Sequence, residues 1–379
     1  MTSNKTTHRK SDAYLNAGVD DKQSFDLVHW LSAKTKNQQN LTPQGLRHDP
    51  GAGSSLLSSL PTYGQLAEGL GGFASLYALN LQGLNQPHLI TATDGVGTKV
   101  ILASEYDHLQ GIGHDLVAMC ANDLFTVGGR PLGFLDYYAT SRLNQDQFQA
   151  VLGGVLAALK ECDCVLAGGE TAQLPGLYHD GHFDLAGFMF GLVDKKNLLG
   201  SHLVADQDLL FALPSSGFHA NGFSLIREWL DQRYQTGRVP DTLITQLLAP
   251  TRLYPEMPYL ASTLGSGVIH GSAHITGGGI SGNLVRILPK GATAHISQSK
   301  IPVPTWMANF IQEHGGEKSP FAFEHVFNLG IGMIVLVASG DKEVFTNAMD
   351  QLQLPYSHIG KVTMEKGQHD GEPICQFHE

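Results

Sequence analysis

Apolar residues recur with two different periods along this chain, and the switches between them outline its elements. A β-favouring run at His88–Thr91 leads into the polar hexapeptide Asp94-Gly95-Val96-Gly97-Thr98-Lys99. Leu116, Met119, Leu124 and Val127 then follow at helical spacing, with Asp115 in the N-cap position after Gly113-His114. Gln147–Lys160 predicts a further helix, Cys164–Ala167 a short strand and Phe183–Val193 a strand of near-continuous apolar character. Such alternation predicts an α/β or α+β domain whose sheet is covered on at least one face.

Polar residues and Gly200 interrupt the pattern between Lys195 and Gln207, which predicts a domain boundary there. The theme then restarts with a strand at Asp208–Leu213, a loop at Pro214–Gly222 and a helix at Phe223–Leu230. A strand around His270–Ile275, the Gly277-Gly278-Gly279 turn and a helix from Ser281 or Gly282 to Leu288 come next. Pro304–His314 predicts another helix and Phe327–Val337 a glycine-spaced strand. The longest strongly apolar run, Ile331–Ala338, is far short of the ~20 residues of a membrane helix and reads as a buried strand. At the other end, the first residues are polar, Asp20–Ser32 predicts a helix, and Ala33–Pro61 reads as an unfolded Gly- and Ser-rich connector. Glu68–Tyr77 is a glycine-rich turn holding Gly69, Gly71 and Gly72. The expected division is a flexible segment 1–61, an N-terminal domain 62–200 and a C-terminal domain 201–379.

Length supports that division, because 379 residues exceed what one ordinary core holds. A hydrophobic fraction of 42% with only 16% charged residues fits a globular chain. The formal net charge of −11 argues against a nucleic-acid groove but leaves room for an anionic substrate bound locally. Cys120, Cys162, Cys164 and Cys375 form no C-x-x-C pair and read as reduced thiols of a cytoplasmic protein. The first ten residues lack an apolar core, so no signal peptide is expected.

Candidate chemistry concentrates between Asp94 and Asp123. On a helix, Asp115 and Asn122 sit within roughly 20° of each other and Asp123 about 80° further round. Two acids and an amide thus lean toward one side of a mostly apolar helix, near the strand-end Asp94. Carboxylates so grouped repel one another unless a cation compensates, which predicts a magnesium site. An Asn-Asp pair inside a helix lowers helicity, so a site accounts for it better than propensity does. Gly95 and Gly97 permit close backbone approach, and Thr98 and Lys99 offer donors to phosphate. This is no Walker A loop, since the only Gly-Lys dipeptide is Gly360-Lys361.

Glu170 follows Gly168-Gly169 at the end of a predicted strand, where α/β sheets place ligands, with a capped loop as the lesser alternative. Gly277, Gly279 and Gly282 satisfy G-x-G-x-x-G, yet no acid occurs between Asn283 and Gln312 to hold a ribose. A glycine turn able to hold a phosphate is what survives. His274 reads as a satisfied core histidine. His219 lies among Ser215, Ser216 and Asn221, an environment that favours exposure and acid–base or phosphate-binding work.

Together these stretches resemble the phosphoribosylformylglycinamidine cyclo-ligase (aminoimidazole ribonucleotide synthetase) family. The matching residues are Asn16–Asp20, Gly69–Phe73, Thr93–Lys99, Gly113–Asp123, Phe134–Thr140 and Gly168–Tyr178. They continue through Ser215–Leu225, Leu248–Tyr254 (LAPTRLY), His274–Gly279 and Phe327–Met333, in the family's order. The resemblance implies ATP-dependent closure of formylglycinamidine ribonucleotide to aminoimidazole ribonucleotide, with ADP and phosphate released. It implies a phosphorylated formamide oxygen, ATP and Mg2+ as cofactors, and no nucleic-acid or membrane partner. Cation ligands would come first from Asp94 and Asp123, then from Asp115 and Glu170, with Asn122 assisting. Lys99, Thr98 and the Gly69–Gly72 turn would touch phosphate, His219 and Asn221 would face the substrate, and Gly277, Gly278 and Gly279 would hold a phosphate.

The implied fold has two domains, with N-terminal mixed sheets from two subunits closing a shared barrel in a homodimer and C-terminal α/β domains outside. Departures are Leu15 in place of a lysine, Arg130 in place of an acid before Pro131, and Gln173 in place of a glutamate. Thiamine-monophosphate kinases and selenophosphate synthetases are the nearest rival readings, and a silent nucleotide-binding homologue is a third.

Overall fold

The computed structural model of the chain describes residues 21–39, 56–70, 72–235, 237–265, 267–316, 318–364 and 371–379. Leu15, the Asn16–Asp20 stretch, most of the expected connector and Gly71 lie outside the described residues. Helix α1 (Asp21–Gln39) continues past the Ser32 expected from the pattern, and a 3-10 turn spans Leu56–Ser59, so the connector is not without structure. Leu27, Leu31 and Thr35, spaced one helical turn apart, are all buried. Thr35 closes that stripe with a polar residue, its Oγ1 donating to the Leu31 carbonyl, which is why an apolar pattern stopped too early.

Strands β1 (Gly64–Glu68) and β2 (Leu76–Leu79) pair antiparallel around the glycine-rich turn. There follow β3 (Pro87–Gly95), α2 (Lys99–Glu105), α3 (Leu109–Thr126), β4 (Arg130–Thr140), α4 (Gln145–Glu161), β5 (Val165–Gln173) and β6 (Phe183–Asp194). The four longer strands form a sheet in the order β3-β6-β4-β5. Only β4 and β5 run parallel, and α4 supplies the crossover that parallel neighbours require. Asn144 caps α4, its Oδ1 accepting from the backbone N–H groups of Asp146 and Gln147. Helices α3 and α4 pack face to face where Gly113 and Gly154 leave room; a Cβ on either would stand 1.9 Å from a carbonyl oxygen of the other helix.

Those helices cover one face of the sheet. Phe183, Leu185 and Met189 of β6 point toward them, whereas Asp184, Ala186 and Phe188 alternate to the opposite side. On that open face Phe188 is 41% exposed, Leu89 66% and Tyr137 40%.

The second half contains β7 (Leu209–Pro214), α5 (Phe223–Tyr234), α6 (Asp241–Leu247), α7 (Glu256–Leu264), β8 (Ile269–His274) and α8 (Gly279–Leu284). After these come β9 (Ala292–Ser297), α9 (Thr305–His314), β10 (Ile331–Val337), α10 (Lys342–Gln351), β11 (Ser357–Met364) and β12 (Ile374–His378). Its six strands are ordered β12-β9-β11-β7-β10-β8, antiparallel except for β12 and β9. All seven residues of β10 are buried, as the apolar run requires of a strand between two neighbours. Helix α8 starts earlier than Ser281 and gives way to a 3-10 turn at Val285–Ile287. The chain is therefore a two-domain α/β protein with mixed sheets.

Candidate functional site

Helix α3 begins at Leu109 after His108, so Asp115 is an interior residue and not its N-cap. The expected common face of Asp115 and Asn122 exists, but it meets chain instead of metal. Asp115 Oδ2 pairs with Lys99 Nζ at 2.8 Å, and neither side chain is exposed. Its Oδ1 accepts from the backbone N–H of Thr251 at 2.7 Å and from Thr251 Oγ1 at 2.6 Å. Lys99 Nζ also donates to the Ala249 carbonyl. Two turns further along α3, Asn122 Nδ2 donates to the Arg252 carbonyl at 2.8 Å while its Oδ1 accepts from Tyr254 N–H at 3.1 Å.

The LAPTRLY segment is thus clasped to the N-terminal domain by three polar side chains. This arrangement corrects the expectations for all three. Lys99 is sealed from any phosphate by burial and by Asp115, and that burial pushes its ammonium pKa down against the pull of Asp115. Asp115 has its charge balanced internally, and Asn122 has both amide atoms committed to backbone. None of them is free to hold a cation.

Asp123 turns to a different side, as its helical angle requires. It is 41% exposed, and its Oδ1 accepts from His274 Nδ1 at 3.0 Å. The amide of Asn122 fixes this imidazole: its Nδ2 lies 3.3 Å from His274 Nε2, so Nε2 accepts and Nδ1 carries the proton. The core histidine read from the sequence is indeed buried and satisfied, and it orients Asp123. Opposite stands Asp94 at the end of β3, whose Oδ1 accepts from Gly95 N–H at 2.7 Å. Burial raises the Asp94 pKa, the Gly95 hydrogen bond opposes this, and the negative charge of Asp123 raises it again. Two interacting carboxylates, one of them facing solvent, are a donor set that magnesium accepts together with phosphate oxygens. Among the described residues no group of three or more His, Cys, Asp or Glu side chains is arranged to hold a metal ion. The five expected ligands therefore do not form one cluster.

Glu170 belongs elsewhere. Strand β5 runs on to Gln173, so Glu170 lies within it, beside Tyr137 of β4 and not at a strand end. It lines a cavity of about 540 Å³ with Gly69, Gly72, Asp136, Gly169 and Thr171. Asp136 is the residue that sequence reasoning missed. It is buried, and that burial, reinforced by Glu170, pushes its carboxyl pKa up to about 7. Gly169 makes the close fit possible, since a Cβ there would stand 2.2 Å from Asp136 Oδ1. An acid inside an otherwise apolar strand, between Leu135 and Tyr137, was the signal available.

Beyond the hexapeptide's acid, Gly95 packs on β6, and Gly97, with φ of 56°, turns the chain into α2. Thr98 shares a hydrogen bond with Ser224 at 3.0 Å and borders a second cavity, of about 570 Å³. His219 is only 1% exposed, against the exposure its polar neighbours suggested. Its ring stands 6.4 Å from the Tyr254 ring and 6.5 Å from the His274 ring, centre to centre. Burial first, then the nearby His274, Lys99 and Arg252, holds its pKa well below the usual histidine value. Asn221 reaches Gly277: a Cβ on that glycine would lie 3.4 Å from Asn221 Oδ1. Gly277 and Gly278 are exposed, while Gly279 is buried against Glu324, whose carboxylate accepts from Ser281 N–H and Oγ.

The departures at Arg130 and Gln173 have local partners. Arg130 pairs with Asp163 and donates to the carbonyls of Leu60 and Pro61, fastening the lead-in to β1. Gln173 Oε1 accepts from Leu143 N–H at 3.4 Å.

Comparison with known proteins places the chain in a family. Residues 78–193 match the AIR synthase related protein, N-terminal domain, and residues 205–370 match the corresponding C-terminal domain. A phosphoribosylformylglycinamidine cyclo-ligase of Shouchella clausii is 42% identical over 364 residues, covering 94% of this chain and 97% of that protein. Among solved structures, thiamine-monophosphate kinase from Stenotrophomonas maltophilia superposes with a TM-score of 0.60 at 17% identity, over 85% of this chain and 95% of that one. Hydrogenase maturation protein HypE in complex with ATP gives 0.57 at 16% identity, over 79% and 84%. At such identities the two structures speak for the fold alone. With both of its domains matched and a relative this similar along nearly its whole length, the chain belongs to the AIR synthase related family.

Proposed function

We propose that this chain is an ATP-dependent cyclo-ligase that converts formylglycinamidine ribonucleotide to aminoimidazole ribonucleotide in purine biosynthesis. The observation that carries the reading is the 42% identity to a named cyclo-ligase across 94% of the chain. In the reaction the γ-phosphoryl group of ATP passes to the formamide oxygen and ADP leaves. A nitrogen of the amidine then attacks the activated carbon, loses a proton and closes the ring as phosphate departs.

Each requirement has residues suited to it. Asp94 and Asp123 would hold magnesium, with His274 keeping Asp123 in place. Burial first, and the charge of Asp123 after it, raise the Asp94 pKa, so the two carboxylates lie within electrostatic reach of each other, which supports this pairing. Magnesium so held would neutralise charge on the triphosphate. Gly69 and Gly72 with Asp136 and Glu170 line a cavity suited, with magnesium, to the same nucleotide. Gly97 and Thr98 lie at the start of α2 with backbone and hydroxyl near solvent. His219, Asn221 and the Gly277–Gly279 turn form the substrate end. Lys99, Asp115 and Asn122 act one step back, holding Leu248–Tyr254 against α3 so that both halves of the site keep their spacing.

The open sheet face with Leu89, Tyr137 and Phe188 supports a homodimer in which two N-terminal sheets join into a barrel. A cytoplasmic location fits the free cysteines and the fact that, among the described residues, no helix is long and apolar enough to cross a membrane. The test is a coupled assay for ADP. Release should require formylglycinamidine ribonucleotide and Mg2+ and should match the aminoimidazole ribonucleotide formed; release driven by thiamine monophosphate instead would replace this reading with a kinase.

A further inference from the structure

We propose that His219 is a neutral hydrogen-bond donor, offering Nδ1–H to a phosphoryl oxygen, and not the base that takes the proton from the attacking nitrogen. The proposal rests on the cyclo-ligase reading and assigns a role within that site. Its first support is the backbone. Ser216 N–H donates to His219 Nε2 at 3.3 Å. A backbone amide can only donate, so the Nε2 lone pair is used, and in a neutral ring the proton sits on Nδ1.

Nδ1 is buried and has no hydrogen-bond partner. A buried N–H left so is destabilising, a penalty that a bound acceptor would remove. Two residues on, Asn221 Nδ2 is likewise buried without a partner. Asn221 stands beside the exposed backbone of Gly277, which its Oδ1 approaches, while the His219 ring stands against Gly332 and Tyr254.

The charged surroundings agree. His274 on β8, Lys99 on α2, Arg252 on the clasped segment and His114 on α3 are the ionisable groups that act on His219, and each disfavours its cationic form. The adjoining Tyr254 stays a phenol, its pKa raised by burial. The carboxylates of this neighbourhood are already taken, Asp115 by Lys99, Asp123 by His274 and Glu256 by Arg252, so none pairs with an imidazolium at His219. A ring that cannot readily accept a proton, next to cationic side chains and a second vacant donor, suits an anionic oxygen.

The backbone makes a further discrimination possible. His219 adopts φ of 60°, a left-handed conformation that asparagine tolerates better than most residues. His219→Asn therefore keeps the backbone and sets an amide N–H near the Nδ1 position with no basic nitrogen. His219→Gln carries its amide out toward Nε2, and His219→Ala removes both.

The experiment starts with the full chain labelled with 15N-histidine, using His219→Asn to identify the signal. The expected result is a protonated Nδ1 and an unprotonated Nε2 throughout the neutral pH range. In turnover assays His219→Asn should stay within about tenfold of wild type while His219→Ala loses about 10²-fold, with the pH profile of kcat/KM unmoved in His219→Asn. A loss in kcat would place the acceptor on the transferred phosphoryl group, and a rise in KM for the nucleotide substrate on its 5′-phosphate. An unprotonated Nδ1, or a His219→Asn enzyme as inactive as His219→Ala and lacking the acidic limb of the profile, would overturn the proposal. The labelling result needs no turnover, so a wild-type chain inactive on formylglycinamidine ribonucleotide would defeat the functional reading separately.

Discussion

Asp136 is a carboxylate that the fold holds at a loss, and removing its charge should show this. Burial in β4, with Glu170 adding repulsion, raises its pKa from 3.8 to about 7. At about 1.4 kcal/mol per pH unit, the ionised side chain destabilises the folded chain by on the order of 4 kcal/mol. The sign follows from proton binding. Below the ordinary carboxylate pKa both folded and unfolded chains hold the proton, and the term vanishes. As pH rises from about 4 to about 7 the unfolded chain ionises first, so stability falls, and above about pH 7 the loss is complete.

Asp136→Asn keeps the shape and removes the charge. Urea unfolding should find the variant as stable as wild type near pH 4 and several kcal/mol more stable near pH 8. Turnover should fall, because the acid facing Gly69 and Gly72 is gone. Magnesium with ATP should narrow the stability gap by stabilising only the wild-type carboxylate. A variant no more stable at alkaline pH, or equally stabilised at every pH, would refute the reasoning.

Other outcomes follow from the clasp and the open face. Lys99→Met strands the buried Asp115 carboxylate and should lower unfolding free energy by about 3–5 kcal/mol, whereas Lys99→Met with Asp115→Leu should recover most of it. A single variant with normal stability but no turnover would instead put Lys99 on phosphate. Gly332→Ala would set a methyl group 1.7 Å from Tyr254 Oη and 2.6 Å from His219 Cε1. It should reduce kcat more than it weakens ATP binding, and an unchanged kcat would detach His219 from the chemistry. Sedimentation at micromolar concentration should give a dimer that Phe188→Asp weakens; a wild-type monomer would contradict the shared barrel.

How much of this could be read beforehand depended on the range of the interaction. Strand β10 was plain from its uninterrupted apolar run, since burial on both faces leaves no other pattern. Angles on α3 were equally legible, because helix geometry alone sets Asp115 and Asn122 on one side and Asp123 on another. What that side meets was not, for Thr251 lies 136 residues from Asp115 and nothing local announces it. His219 was misjudged for the same reason: small polar neighbours suggested exposure, while Tyr254 and Gly332 from distant segments close over the ring. Helices α6 and α7 and strands β9, β11 and β12 are short, with apolar stripes too brief to stand out. The family likeness, carried by many stretches at once, was more telling than any one of them.

The account turns on a division among the acids of α3, in which Asp123 serves a cation with Asp94 while Asp115 serves the fold. Manganese binding in the presence of a non-hydrolysable ATP analogue, measured by titration on four proteins, tests it most directly. Asp94→Asn and Asp123→Asn should lose most of the cation affinity with melting temperatures near wild type, and Asp115→Asn should melt earlier yet bind the ion while folded. Wild-type affinity in Asp123→Asn, or its loss in a folded Asp115→Asn, would contradict the account.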